Sequence, residues 1–324
     1  KIANIIALDL GLTDKQAAQR IAMSLVREAI NVAGLSIVKA TGGTRFVREL
    51  IANAVTRKIL PKDNNVFCDE LISLDAYLHW FDDPTSQKRP DLLRIHADIV
   101  DGYFEITLQL VECKLAKQSE GYLEAAREQI ESGLRELVEK FKPRTSLERD
   151  CYARVDQRYW WMQLHRLIST NGSTTKAMYK DTLAALEHLS EGFFTVRWQA
   201  GVFAIWTDQQ IDQIFQDIPW QHPLENEEFP IMVATTGIEF VKKVSLRETG
   251  EVLFVNVTPV EFLVPSISQG KIPNEVEDEQ HAEEPKEQTL CIAEDENAFE
   301  QPLALSEEII QPSTQLIIAS RREL

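Results

Sequence analysis

Cysteine is scarce. Four residues, at 68, 113, 151 and 291, serve a chain of 324. No pair has zinc-ligand spacing, so the expectation is reduced thiols in a cytoplasmic protein. Long apolar runs are missing too. Nothing reaches the roughly 18 consecutive apolar residues that a spanning helix needs. The start has no basic region leading into a short apolar core and cleavage site, as a secretory signal would. Positive charge is short, with 34 Lys and Arg against 51 Asp and Glu and a net charge of −17. The field of the whole molecule should therefore repel nucleic acid. The six His have no ligand spacing, although His96 sits in strand-like and His165 in helix-like sequence. Thr41-Gly42-Gly43-Thr44-Arg45 could cradle an anion, but no GxxxxGK[ST] accompanies it, and ATP binding is not expected.

What is present is a chain 44% hydrophobic, long enough for one large domain or two. The acid is unevenly spread. Residues 271–324 carry 14 Asp and Glu against four Lys and Arg, a net of −10, which leaves −7 for the first 270. A local phosphate-binding surface is therefore still open to residues 1–270. The 271–324 stretch, with Asn-Glu-Val-Glu-Asp-Glu-Gln at its start, predicts an acidic linker. A start at Lys1 without Met and an end on Ser-Arg-Arg-Glu-Leu suggest a piece of a longer protein.

Periodicity predicts a helix over 14–33, capped by Thr13 and ended by Gly34, and then a short strand before the Gly-Gly turn. A second helix should run over 45–60, with Phe46, Leu50, Ala54 and Val55 inward. Residues 66–82 fit either strand-turn-helix or one helix. Further helices are expected over 119–141, 147–168 and 176–189. Strand patterns follow in 193–208, 229–246 and 251–264.

The densest information lies in Arg89 to Lys114. Leu92–Val100 and Tyr103–Val111 read as a hairpin around Asp101-Gly102, a favoured two-residue turn. A turn centred there makes opposed residue numbers sum to 203, so Asp91 falls opposite Glu112. Glu112 and Lys114, two apart on a strand, share one face, and Cys113 points to the other as buried filler. Two carboxylates beside an ammonium suit phosphodiester chemistry. The carboxylates can hold Mg²⁺ or Mn²⁺, with the Cys113 carbonyl as a further oxygen ligand. The Lys can orient water or stabilise developing charge. Asp98 is the alternative to Asp91, but the same hairpin sets it near Glu105, far from Glu112.

Pro90-Asp91 followed by Glu112-Cys113-Lys114, with an apolar strand before the triplet and a helix after it, resembles the PD-(D/E)xK nuclease superfamily. The resemblance implies an α/β, restriction-endonuclease-like mixed central sheet flanked by helices, and metal-dependent cleavage of nucleic acid. It covers residues 15–145, within a nuclease-like core of 1–145. Residues 146–270 would be an α+β extension packed on or completing that core, and 271–324 a linker toward an ATPase domain. The family often adds a Glu from the preceding helix, here Glu49, with Glu28 as the alternative. It also implies a role for Gln129, although the Tyr of the usual Gln-x₃-Tyr pattern is replaced by Gly133. Thr41–Leu50, Arg89–Ile95, Val111–Ala116 and Arg158–Ile168 resemble the nuclease-like region of DptH-type proteins of phosphorothioation-dependent restriction. These are large anti-phage proteins carrying a HerA/FtsK-type ATPase. DNA and such an ATPase, or other restriction-complex subunits, are then the implied partners.

Lys117, Arg127, Arg154, Arg158 and Arg166 are candidate phosphate contacts. Tyr159, Trp160 and Trp161 cannot share one helix face, so at least one should be core, as should Trp198, Phe203 and Trp206. The competing functions are a catalytically inactive DNA-binding or regulatory module and, separately, an adaptor using those aromatics as a docking surface.

Overall fold

The structure is a computed structural model that describes residues 2–32, 34, 44–60, 62–86, 88–144, 155–173, 179–224, 227–246 and 267–269. The described residues belong to one compact unit within 1–277. Its centre is a mixed sheet. β1 (Cys68–Ser73), β2 (Leu92–Val100) and β3 (Tyr103–Ala116) form an antiparallel meander. β4 (Phe194–Trp206) joins β3 in parallel, and β7 (Glu227–Gly237) joins β4 in parallel. β5 (Phe215–Gln216) and β6 (Trp220–Leu224) pair antiparallel with β7, and β8 (Ile267–Gln269) pairs antiparallel with β4. Residues 146–270 therefore supply strands to the same sheet as the hairpin. The parallel β3–β4 step needs a long crossover, and three helices fill it.

Those helices are α4 (Glu120–Lys140), α5 (Val155–Asn171) and α6 (Tyr179–Ser190), and they cover one face. The other face carries α1 (Ile2–Asp9), α2 (Lys15–Ile30), α3 (Thr44–Ile59) and α7 (Ile238–Ser245). The strands explain the two layers. In β3, Leu108 and Leu110 point into the α4 side, while Val111, Cys113 and Leu115 point into the α3 side. The result is an α/β architecture compatible with the restriction-endonuclease-like fold. Among the described residues, no helix is long and apolar enough to cross a membrane.

Several local expectations need correction. Asp14, not Thr13, caps α2, because its Oδ1 accepts the Gln16 amide at 2.8 Å. Phe46 is 40% exposed; the buried stripe of α3 is Val47, Leu50, Ile51, Ala54 and Val55. Residues 66–82 contain β1 and then two 3₁₀ turns, Leu74–Ala76 and Leu78–Trp80, in place of a helix. The strand pattern of 229–246 ends at Gly237, where α7 begins. α1 was not anticipated. The strands expected near 35–40 and over 251–264, and the 271–324 linker, lie outside the described residues.

One buried ion pair crosses from β1 to β2. Arg94 Nε and Nη2 donate to Asp69 Oδ1 and Oδ2 at 2.7 and 2.6 Å, and the Asp63 amide donates to Oδ2 at 2.6 Å. The opposed register Leu71↔Arg94 and Asp69↔His96 puts these side chains diagonally on one sheet face.

Candidate active site

The hairpin turn sets the geometry. Asp101 and Gly102 have φ of 50° and 80°, so both central residues are left-handed, which matches the twist of the flanking strands. The pairing then runs from Val100↔Tyr103 to Leu92↔Val111 with every sum at 203. One step further, Asp91 meets Glu112, as the sequence predicts.

Each acid accepts a backbone amide from the opposite strand end. The Asp91 amide donates to Glu112 Oε2 at 3.0 Å, and the Cys113 amide donates to Asp91 Oδ2 at 3.0 Å. Lys114 Nζ donates to Glu112 Oε1 and, at 2.6 Å, to Gln129 Oε1. Glu112 is fully buried, whereas the Lys114 side chain is 19% exposed, so the group opens to solvent at its cationic end. Strand alternation turns Cys113 away, and its Sγ lies 3.1 Å from Thr56 Oγ1 of α3 on the opposite sheet face.

Charge is unbalanced here. Burial pushes the Glu112 carboxyl well above its ordinary range, and the neighbouring Asp91 pushes it further; Lys114 only partly offsets this. Burial also raises Asp91, against the pull of Lys114, the Cys113 amide and hydrogen bonding with the Glu112 carboxyl. Burial would lower Lys114, but Glu112 and Asp91 outweigh it and hold the ammonium charged above its usual value. Two adjacent carboxyls that resist joint ionisation beside one cation are a local deficit of positive charge.

A second layer fixes the lysine and the approach to Asp91. Gln129 of α4 accepts from Lys114 and donates through Nε2 to the Arg89 carbonyl at 3.0 Å. Arg89 Nη2 donates to Asp75 Oδ1 at 2.8 Å, and Nη1 donates to the Ser86 carbonyl. The Leu74 amide donates to the Asp91 carbonyl at 3.0 Å. Arg89 and Asp75 escaped the sequence analysis. The signal available was an Arg next to Pro90-Asp91, but nothing in the sequence pairs it with position 75.

Asp91, Glu112, Lys114 and Gln129 are thus brought together. Glu49 is half-buried on α3, beyond the opposite sheet face, and Glu28 is buried on α2; both engage other groups. Asp98 pairs with Glu105 at the far end of β2. Arg127 bonds Glu131 at 2.8 Å and lies 5.8 Å over the Trp220 ring. Lys117 follows β3, and Arg158 and Arg166 are exposed on α5; Arg154 lies outside the described residues. Trp161, Trp198, Phe203 and Trp206 are core, Trp160 packs against the core and Tyr159 is exposed. The aromatics are thus mostly interior, which removes the basis for an aromatic docking surface. His96 Nε2 stands 3.8 Å from Asp63 Oδ2, and burial lowers His165.

Among the described residues, no cluster of three or more His, Cys, Asp or Glu is arranged to hold a metal. Two carboxylates fit a hard cation that keeps several waters and takes further oxygens from a substrate phosphate, the habit of Mg²⁺. The carboxylate oxygens of Asp91 and Glu112 are the hard donors that Mg²⁺ or Mn²⁺ takes, and the Cys113 thiol, turned to the opposite sheet face, supplies no thiolate there. No protein-family model, curated protein or solved structure matches this chain.

Proposed function

We propose that this chain is a metal-dependent deoxyribonuclease of the PD-(D/E)xK type, hydrolysing DNA phosphodiester bonds. The observation that supports this is the meeting of Asp91, Glu112 and Lys114 at the ends of β2 and β3, with Gln129 holding the lysine. Asp91 and Glu112 would hold Mg²⁺ or Mn²⁺, with the Cys113 carbonyl as a further ligand. When bound, the ion supplies Lewis-acid polarisation of the scissile phosphate and charge neutralisation. Lys114, at the open end of the group, would orient the attacking water and stabilise charge developing on phosphate oxygens. Gln129 would keep the ammonium aimed, and burial of Glu112 would keep bulk water from competing. The biological setting that fits is bacterial anti-phage restriction in the cytoplasm, coupled to a HerA/FtsK-type ATPase region.

The test is incubation of the protein with end-labelled single- and double-stranded DNA, in Mg²⁺, in Mn²⁺ and in chelator. Cleavage with either ion and none in chelator is expected. Binding without cleavage under all conditions, even with the ATPase partner region supplied, would favour a catalytically inactive DNA-binding or regulatory module.

A further inference from the structure

α4 contains one glycine deep in its interior, Gly133, in a run of 21 helical residues. Glycine weakens a helix, and this one has no left-handed backbone to justify it. Its reason is space. A Cβ at 133 would stand 2.7 Å from both Cγ and Cδ of Pro90, and 3.4 Å from Leu110 Cδ1. Contacts under 3.0 Å are not tolerated, so a side chain at 133 and a ring at 90 cannot coexist at this separation. Pro90 is buried against this bare helix surface.

Gln129 lies one turn earlier on the same face of α4. It donates to the Arg89 carbonyl at 3.0 Å. One helix therefore grips two consecutive residues, by a hydrogen bond at 89 and by close packing at 90. The next residue is Asp91, whose carbonyl accepts the Leu74 amide at 3.0 Å and whose Oδ2 accepts the Cys113 amide at 3.0 Å. Proline fixes its own φ, and Asp91 directly after it is tied at both its carbonyl and its carboxylate, so a displacement of the ring is passed on to those two hydrogen bonds.

We propose that Gly133 is a positioning residue: the bare surface it leaves on α4 seats the Pro90 ring and so holds the Asp91 carboxylate beside Glu112. Gly133 touches neither substrate nor metal; it acts through Pro90. The inference rests on the nuclease reading for what Asp91 does once held. It also accounts for glycine where the resembled Gln-x₃-Tyr pattern would have a tyrosine, since a large side chain there would evict the ring.

The experiment uses the full chain, Mn²⁺ and labelled DNA, with Gly133→Ala, Pro90→Ala and the double variant compared with wild type. Mn²⁺ binding is followed by electron paramagnetic resonance. Gly133→Ala is expected to slow turnover at saturating DNA by about 10–100-fold and to raise the Mn²⁺ half-saturation, because small displacements of a ligand cost that much. The KM for DNA should stay near the wild-type value. In the double variant the ring is gone and the Cβ fits, so turnover and Mn²⁺ affinity should return to those of Pro90→Ala. A Gly133→Ala protein as active as wild type would overturn the proposal, and so would a defect that the double variant fails to repair. If Gly133→Ala does not fold, recovery of folding and cleavage in the double variant supports the contact, and no recovery overturns it. A wild type that binds Mn²⁺ but never cuts would end the nuclease reading alone, with the Mn²⁺ series still deciding the role of Gly133. A wild type that neither binds nor cuts would end both.

Discussion

Asp91→Asn, Glu112→Gln and Lys114→Ala are each expected to lower metal-dependent DNA cleavage by about 10²–10³-fold, the usual cost of removing one preorganised electrostatic group. The three should fail differently. Asp91→Asn and Glu112→Gln each put a neutral amide in place of a carboxylate that would bind the ion, so Mn²⁺ affinity should fall with turnover. Lys114→Ala should leave the ion bound and reduce turnover alone, since the ammonium sits at the exposed end of the group. Gln129→Ala should cost less, about 10–100-fold, because it supports Lys114 and does not reach the reacting atoms in this arrangement. Circular dichroism should show all four folded. The isosteric Glu112→Gln puts no new bulk in the buried position, and Lys114 and Gln129 lie at the open edge. Wild-type rates in the folded Asp91 and Glu112 variants would remove the catalytic assignment.

The second large effect is on stability. Asp69→Asn is expected to lower the unfolding free energy by about 3–5 kcal/mol, because it strips a buried arginine of its charged partner. The two side chains are only 2% and 8% exposed and meet in a two-pronged arrangement, so solvent cannot step in. A loss of this size is a large part of the 5–15 kcal/mol typical of a domain. Burial tends to raise the Asp69 carboxyl, but the hydrogen bonds and charge of Arg94 prevail and hold it below its ordinary value of 3.8. A depressed folded-state value means the contribution is complete above about pH 4 and lost as pH falls through the lower folded value. Urea unfolding should therefore show the gap between wild type and Asp69→Asn at pH 7, closing as pH drops below that range. A gap under about 1 kcal/mol at pH 7, the worth of an exposed pair, would contradict the assignment.

The hairpin was legible because its information is local. Asp101-Gly102 dictates a tight turn, the turn dictates the sum of 203, and the sum carries Asp91 to Glu112. Period-two alternation likewise separated Cys113 from Glu112 and Lys114. The long helix after the triplet was readable from its apolar spacing, and Leu134 and Leu137 are fully buried as that spacing requires. Contacts between distant elements were not readable. Asp69 with Arg94, Asp75 with Arg89 and Gly133 with Pro90 each depend on which strand or helix becomes a neighbour, which no local pattern encodes. Residues 238–245 misled because Val, Ile and Phe suit either a strand or a buried helix side; α7 buries Ile238, Phe240, Val241 and Val244 against α2 and α3. Phe46 misled for a related reason. Near the start of α3 it falls just outside the stripe set by Val47, Leu50 and Ile51.

The most direct measurement is anomalous diffraction from crystals soaked in Mn²⁺ at a concentration that supports DNA cleavage. A manganese peak is expected within coordination distance of the Asp91 and Glu112 carboxylates, with the Lys114 ammonium facing it, and that peak should be lost in Glu112→Gln. A peak held by other residues, or none at these two carboxylates while the same preparation cuts DNA, would contradict the assignment.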